Sequence, residues 1–189
     1  EKGSLGKTAK ALDIPKSSVK YITDRAKKII KQRMIKPKIL ILVQHEVTAL
    51  QYHRQVVPHE RLKITHADDF EISYARPENK GEEANIMWMT DEQLKEYKLV
   101  IFLRQISHNP AIIQPSIDRL KSLGIKIVID IDDYWMLPKS HQMYDNYQLN
   151  NVPNNTTATL RQVDWVTTTT EYFADKISEY NTNITILPN

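Results

Sequence analysis

Hydrophobic and polar positions change rhythm at Pro37, and beyond it short apolar runs alternate with stretches of helical spacing. Ile39–Val43, Leu99–Leu103 and Ile127–Ile131 are near-continuous β-branched or aliphatic runs. That is the composition of strands covered on both faces in a parallel sheet. Further strands are predicted at Phe70–Tyr74, Trp165–Thr168 and Ile184–Leu187. Between the strands, helical spacing predicts helices from Ala49 to about Leu62, over Asp91–Glu96, over Pro110–Leu123, near Ala158–Val163 and over Tyr172–Glu179. Pro58 is expected to kink or shorten the first of these. The third has Pro near its start and Gly124 just past its end, the usual asymmetry of helix termini. Asn79–Glu83 is read as a polar loop and Gln148–Thr157 as an Asn-rich loop. Strands and helices alternating in this way predict an α/β fold, a doubly wound parallel sheet of Rossmann-like type.

Ahead of that domain, residues 7–33 place small, apolar and basic positions at helical spacing, broken by Asp13-Ile14-Pro15-Lys16-Ser17-Ser18. Lys36-Pro37-Lys38 marks the boundary, since the residue before Pro is pushed out of the α region. The chain is therefore read as a small helical segment, 1–36, and a second domain, 37–189. The first segment resembles the helix-turn-helix families: Ala9 is small, Leu12 and Ile14 bracket the turn, and Val19 and Ile22 face inward. Asp13 stands where those families usually have Gly, and Asp tolerates the left-handed backbone better than most residues. The resemblance implies that Lys16, Ser17, Ser18, Lys20 and Tyr21 face nucleic acid, with Ser17 or Ser18 capping the second helix. The alternatives are a solvated packing arm and, less favoured, a patch for a membrane surface.

Charge sharpens this division. The net +3 of the 189 residues conceals 11 Lys/Arg against 3 Asp/Glu in residues 1–36, a net of +8, and 15 against 20 beyond, a net of −5. A basic arm on an acidic domain favours a polyanion as partner of the arm. At 41% hydrophobic the chain has material for a real core. No apolar run approaches the ~20 residues of a membrane span, and the start shows no signal-peptide pattern, so a soluble, cytoplasmic protein is expected. Cysteine is absent, and the six histidines show no paired ligand spacing, so no metal site is expected. Only four glycines occur, and neither a Gly-x-Gly-x-x-Gly fingerprint nor a phosphate-binding loop is present.

The candidate chemistry gathers after the Ile127–Ile131 run, where Asp130, Asp132 and Asp133 follow one another at the carboxyl end of a predicted strand. Ligands of open α/β sheets bind at that end, so these acids are site candidates. The competing reading is that Asp132-Asp133 caps the next turn or helix.

Three stretches, together with the order of elements over roughly 38–189, resemble the N-terminal half of a GT-B glycosyltransferase. Tyr52-His53-Arg54 with Pro58 and Leu62 resembles the helix after the first strand in some members. Ile129-Asp-Ile-Asp-Asp-Tyr-Trp135 resembles the stretch where many carry His-Asp-Tyr-Trp. Val163–Ala174, ending in Ile184-Thr-Ile-Leu-Pro-Asn189, resembles the last strand-helix-strand before the hinge. Asp132 replaces the family's histidine, and Gln44-His45-Glu46-Val47-Thr48 replaces its glycine-rich loop. The resemblance implies an acceptor-binding half of a glycosyltransferase, without cofactor, whose nucleotide-sugar donor is bound by a C-terminal domain not in this sequence. It also implies that the chain is a fragment of a longer protein. Asp132 and Asp133 would orient or deprotonate the acceptor hydroxyl. His45, Arg54, Arg104 and His108 would meet a phosphate-bearing acceptor or the donor diphosphate, and Tyr134 would serve as a stacking platform unless it is core. With the basic arm, the acceptor becomes DNA. The alternative function is a nucleic-acid-binding regulator whose α/β domain is a sensor or assembly module.

Overall fold

The chain divides into two units, Glu1–Lys36 and Pro37–Asn189. The computed structural model describes residues 20, 21, 24, 25, 36–43, 49–77 and 84–188. In the first unit Lys20, Tyr21, Asp24 and Arg25 are helical and exposed, while Lys16, Ser17 and Ser18 lie outside the described residues.

The second unit is built on a six-stranded, all-parallel sheet: β1 Lys38–Leu42, β2 Glu71–Ala75, β3 Tyr97–Leu103, β4 Lys126–Ile131, β5 Trp165–Thr168 and β6 Ile184–Ile186. Its order is β2-β1-β3-β4-β5-β6. The chain leaves β1 in one direction for β2 and then returns to build outward the other way from β3. The switch point therefore falls between β1 and β3, where open α/β sheets form their ligand crevice. This is the Rossmann-like, doubly wound α/β fold.

One face of the sheet is closed by a continuous apolar layer: Leu40, Leu42, Val100, Phe102, Ile127, Ile129, Ile131 and Val166 meet Ile113, Ile117 and Leu120 of the helix Pro110–Ser122, with Leu160 and Ile177 from later helices. Each fully buried aliphatic side chain there contributes roughly 1.5–3 kcal/mol. Among the described residues the opposite face is closed mainly over β1 and β2, where Ile41, Val43 and Ile72 pack with Ile39, Phe70, Tyr74 and Ile101. The helix on that side, α1, starts as Ala49–Gln51, passes through a π-helical turn at Tyr52–Val56, and resumes as Val57–Thr65. Pro58 has no N–H to bond the preceding turn, and the widened turn just before it absorbs that loss without breaking the helix. Along β4, accordingly, Val128 is half-buried while Ile127 and Ile129 are fully enclosed.

Numbered in order, the remaining helices are α2 Asp91–Lys95, α3 Pro110–Ser122, α4 Tyr144–Leu149, α5 Val152–Leu160 and α6 Glu171–Ser178. The region expected as an Asn-rich loop is thus mostly helical. Asn151, in the left-handed region at φ 53°, separates α4 from α5, and Pro153 sits in the first turn of α5. Thr156, Thr157, Thr159 and Leu160 are buried, which fixes α5 against the core despite its poor local propensity. Trp135 Nε1 donates to Thr157 Oγ1 at 3.0 Å and locks the segment after β4 to α5. Among the described residues no helix is long and apolar enough to cross a membrane.

Helix α3 ends as its sequence predicts. Gly124 (φ 70°) donates to Lys121 O at 2.9 Å and Ile125 N donates to Leu120 O at 3.0 Å, the two bonds of a Schellman ending. No atom lies within 4 Å of a Cβ built at Gly124. Gly124→Ala therefore incurs only the left-handed backbone penalty, about 1–2 kcal/mol of destabilisation. All three tryptophans lie in the second unit, at 88, 135 and 165. Urea unfolding followed by their fluorescence should show the loss as a lower midpoint, and an unchanged midpoint would remove the strain argument.

Candidate functional site

Side chains alternate along a strand, so Asp130 shares the face of Val128 and lies opposite Ile127, Ile129 and Ile131, while Asp132 and Asp133 lie in the segment just past the end of β4. Asp130 points toward the partly open face. There it accepts from Arg54 Nε at 2.6 Å, Arg54 Nη2 at 2.7 Å and Thr167 Oγ1 at 2.6 Å. Both side chains of this ion pair are almost fully buried, at 8% and 7% exposure. The hydrogen bond to Asp130 is the main influence holding the Arg54 guanidinium above its ordinary pKa, so the guanidinium is charged. Arg54 Nη1 also donates to Leu187 O at 3.4 Å. One guanidinium thus ties the helix after β1 to β4, and reaches the segment after β6.

The pair borders an apolar recess of about 840 Å³ between α1 and the exposed side of β3–β5, lined by Leu50, His53, Pro58, Leu62, Ile101 and Val128 among others. His59, in the same wall, is held below the ordinary histidine range by burial, against the opposing pull of its bond to Gln55 O at 2.5 Å and the charge of Asp130. Gln55 Nε2 donates to Leu42 O at 3.3 Å, while Gln55 Oε1 is buried without a hydrogen-bond partner.

The second arginine sits at the crevice itself. Arg104 follows β3 directly and adopts φ 60°, a left-handed conformation that costs a non-glycine residue on the order of 1–3 kcal/mol. Its amide donates to Asp130 O at 2.8 Å, which anchors the turn to the end of β4. Its side chain grips Asp132 in a two-point fork, Nε to Oδ1 at 2.7 Å and Nη2 to Oδ2 at 3.0 Å. Nη2 also donates to Asp133 Oδ2. Burial pushes the Arg104 pKa down, but Asp132, with Asp133 and Tyr147, raises it further than burial lowers it, so the guanidinium stays charged. Asp132 is enclosed, at 6% side-chain exposure, whereas Asp133 is open at 65%.

A cavity of about 370 Å³ opens beside this triad, lined by Arg104, Gln105, His108, Asp133, Asn146, Tyr147 and Asn150, with Ile131, Trp135 and Met143 as apolar wall. The residues expected from sequence are distributed as follows. Arg104, His108 and Asp133 share the cavity. Asp132 stands behind Arg104 as its buried counter-ion. Arg54 does not line this cavity: it is engaged with Asp130 at the same strand end and borders the recess beside α1. Tyr134 is half-buried against the core, its ring stacked on Phe173 with 7° between planes, and is not among the cavity's lining residues. His45 lies outside the described residues. Asn146, Tyr147 and Asn150 were not anticipated, because their place depends on α4, whose six residues include no buried position to give a periodic signal. Among the described residues no group of three or more His, Asp or Glu side chains is arranged to hold a metal ion.

No protein-family model matches the chain, and no curated protein sequence does. Among solved structures, a conserved protein from Enterococcus faecalis V583 is similar at 16% identity, covering 80% of this chain and 92% of that one, with a TM-score of 0.37.

The buried Arg54–Asp130 pair yields a direct test. Asp130→Ala leaves a guanidinium enclosed without its counter-ion and should cost about 3–5 kcal/mol. Replacing both partners with apolar groups, Arg54→Met with Asp130→Leu, should cost distinctly less than Asp130→Ala alone. Equal losses in a urea-unfolding comparison would show that the charge pairing is not what holds α1 to β4.

Proposed function

We propose that the second unit is the acceptor-binding half of a cytoplasmic glycosyltransferase, presenting a hydroxyl to a nucleotide-sugar donor bound by another domain. The observation that carries this reading is the Arg104–Asp132–Asp133 triad beside a polar and aromatic cavity at the carboxyl ends of β3 and β4, the end of a parallel sheet where ligands bind. Sugar transfer needs an acceptor hydroxyl held in position, a group to take its proton, and water kept from the reacting carbon. Asp133 is the carboxylate that lines the cavity and so is the one to orient or deprotonate the hydroxyl. Asp132 acts through Arg104: its two-point grip fixes the guanidinium, which in turn fixes Asp133. The amides of Asn146, Asn150 and Gln105 and the hydroxyl of Tyr147 can both donate and accept, matching the hydroxyl groups of a saccharide.

The division of labour gives the test. Titrating the isotopically labelled chain with short saccharides should move the amide signals of Gln105, His108, Asn146 and Tyr147, and Asp133→Ala should weaken that response. Calorimetry with UDP-glucose should give no micromolar binding, because no glycine-rich phosphate turn is present. Micromolar binding of the nucleotide sugar would assign the donor to this unit and overturn the reading.

A second partner, DNA, is proposed for residues 7–33, supported by the net +8 of residues 1–36. The arm would bring the transferase to a DNA acceptor. Lysines that neutralise phosphates release counterions, so affinity should fall with salt at a log–log slope of about −0.9 per phosphate contacted. Lys16→Ala or Lys20→Ala should flatten that slope by about one unit. If gel shifts at low salt detect no duplex binding by residues 1–189, the arm is not a DNA-binding element.

A further inference from the structure

The charges at the cavity do not balance. Among the described residues Arg104 is the one guanidinium in its lining, and it is engaged by two carboxylates. Asp132 uses both oxygens on Nε and Nη2, and Asp133 takes a further bond from Nη2. Asp132 is enclosed and cannot turn away to free the fork, while Asp133 is open and faces an incoming ligand. Nη1 takes no part in these bonds, but the two carboxylates outnumber the guanidinium, so among the described residues such a ligand meets a surplus of negative charge. Gln105, Asn146, Tyr147 and Asn150 add neutral groups that serve hydroxyls equally as donors and acceptors. The volume, about 370 Å³, lies at the small end of the ~300–1,000 Å³ range of small-molecule sites.

We propose that the acceptor taken at this cavity is an uncharged saccharide, and that sugars bearing a carboxylate or phosphate are turned away. The proposal rests on the glycosyltransferase reading and replaces the sequence-based expectation that Arg104 receives a phosphate. Asp133 is then the specificity-determining residue: its charge repels an anionic acceptor, and its bond to Arg104 Nη2 competes with that acceptor for the counter-ion.

The test uses the whole 189-residue chain and four probes, methyl glucoside and methyl galactoside with the corresponding methyl glucuronide and methyl galacturonide. Binding is followed by amide shifts at Gln105, Asn146 and Tyr147. At least one neutral glycoside should bind about tenfold more tightly than its uronide, the scale of one unit charge a few ångströms away in a partly solvated site. Asp133→Asn, which keeps shape and removes the charge, should narrow that gap, with an unchanged amide spectrum elsewhere showing that the fold is intact. A uronide that binds as well as its neutral partner, or a gap that Asp133→Asn leaves unaltered, overturns the charge rule while leaving the saccharide site standing. If none of the four probes moves these signals, the saccharide reading itself falls, and the charge rule with it.

Discussion

Two guanidinium–carboxylate systems hold the carboxyl end of β4, one at the last residues of the strand and one just past it, and the arrangement of the crevice depends on both. Arg54 comes from the helix after β1 and Arg104 from the turn after β3, so the two connections that flank the switch point are each tied to the same strand end. Coulombic attraction alone would not order these side chains in water. Here the two-point geometry and the enclosure of Asp130 and Asp132 make departure costly, because either carboxylate would be left buried and unpaired. The left-handed backbone at Arg104 is sustained by the same bonds: its amide is held by Asp130 O and its side chain by Asp132. The strain is thus located where the β3 turn meets the cavity, and it aims a charged group that an unstrained turn would direct elsewhere.

Covering the sheet unequally has its own consequence. Parallel strands are normally enclosed on both sides, and the side carrying α3, α5 and α6 meets that expectation. On the other side a single helix, widened by a π-turn ahead of Pro58, spans β1 and β2 and leaves Ile101, Val128 and Thr167 half-buried beside a large recess. Asp130 and Thr167 can be polar at positions that would otherwise be core because Arg54 reaches over them.

How much of this was legible in the sequence follows from the range of the interaction that determines each part. The strands were readable because their apolar runs are local, and the end of α3 because Gly124 signals a left-handed residue directly. Asp132, Asp133, Arg104 and His108 could be picked out as strand-end residues without knowing what they touch. The bond of Arg54 to Asp130 could not be read in advance, because its partner lies 76 residues away and nothing in the α1 sequence indicates what the helix will meet. Helices α4 and α5 were hidden by composition. Asn and Thr disfavour helix locally, and only burial of Thr156, Thr157 and Leu160, with the Trp135–Thr157 bond, reverses that preference.

The same residues that defeated local reading also shape the cavity. Asn146, Tyr147 and Asn150 reach the crevice from α4 and its carboxyl end, and that segment is positioned by α5. Trp135, two residues beyond Asp133, bonds α5 and lines the cavity wall as well. The carboxylates and the neutral groups opposite them are therefore linked through one buried indole. A change in how α5 seats on the core would move Asn146 and Tyr147 relative to Asp133, while Asp132 and Arg104 stayed fixed by the sheet. Charge at this crevice is set by the rigid strands, and the hydrogen-bonding wall by the helices. Selectivity for ligand charge and selectivity for ligand shape are accordingly assigned to separable parts of the fold.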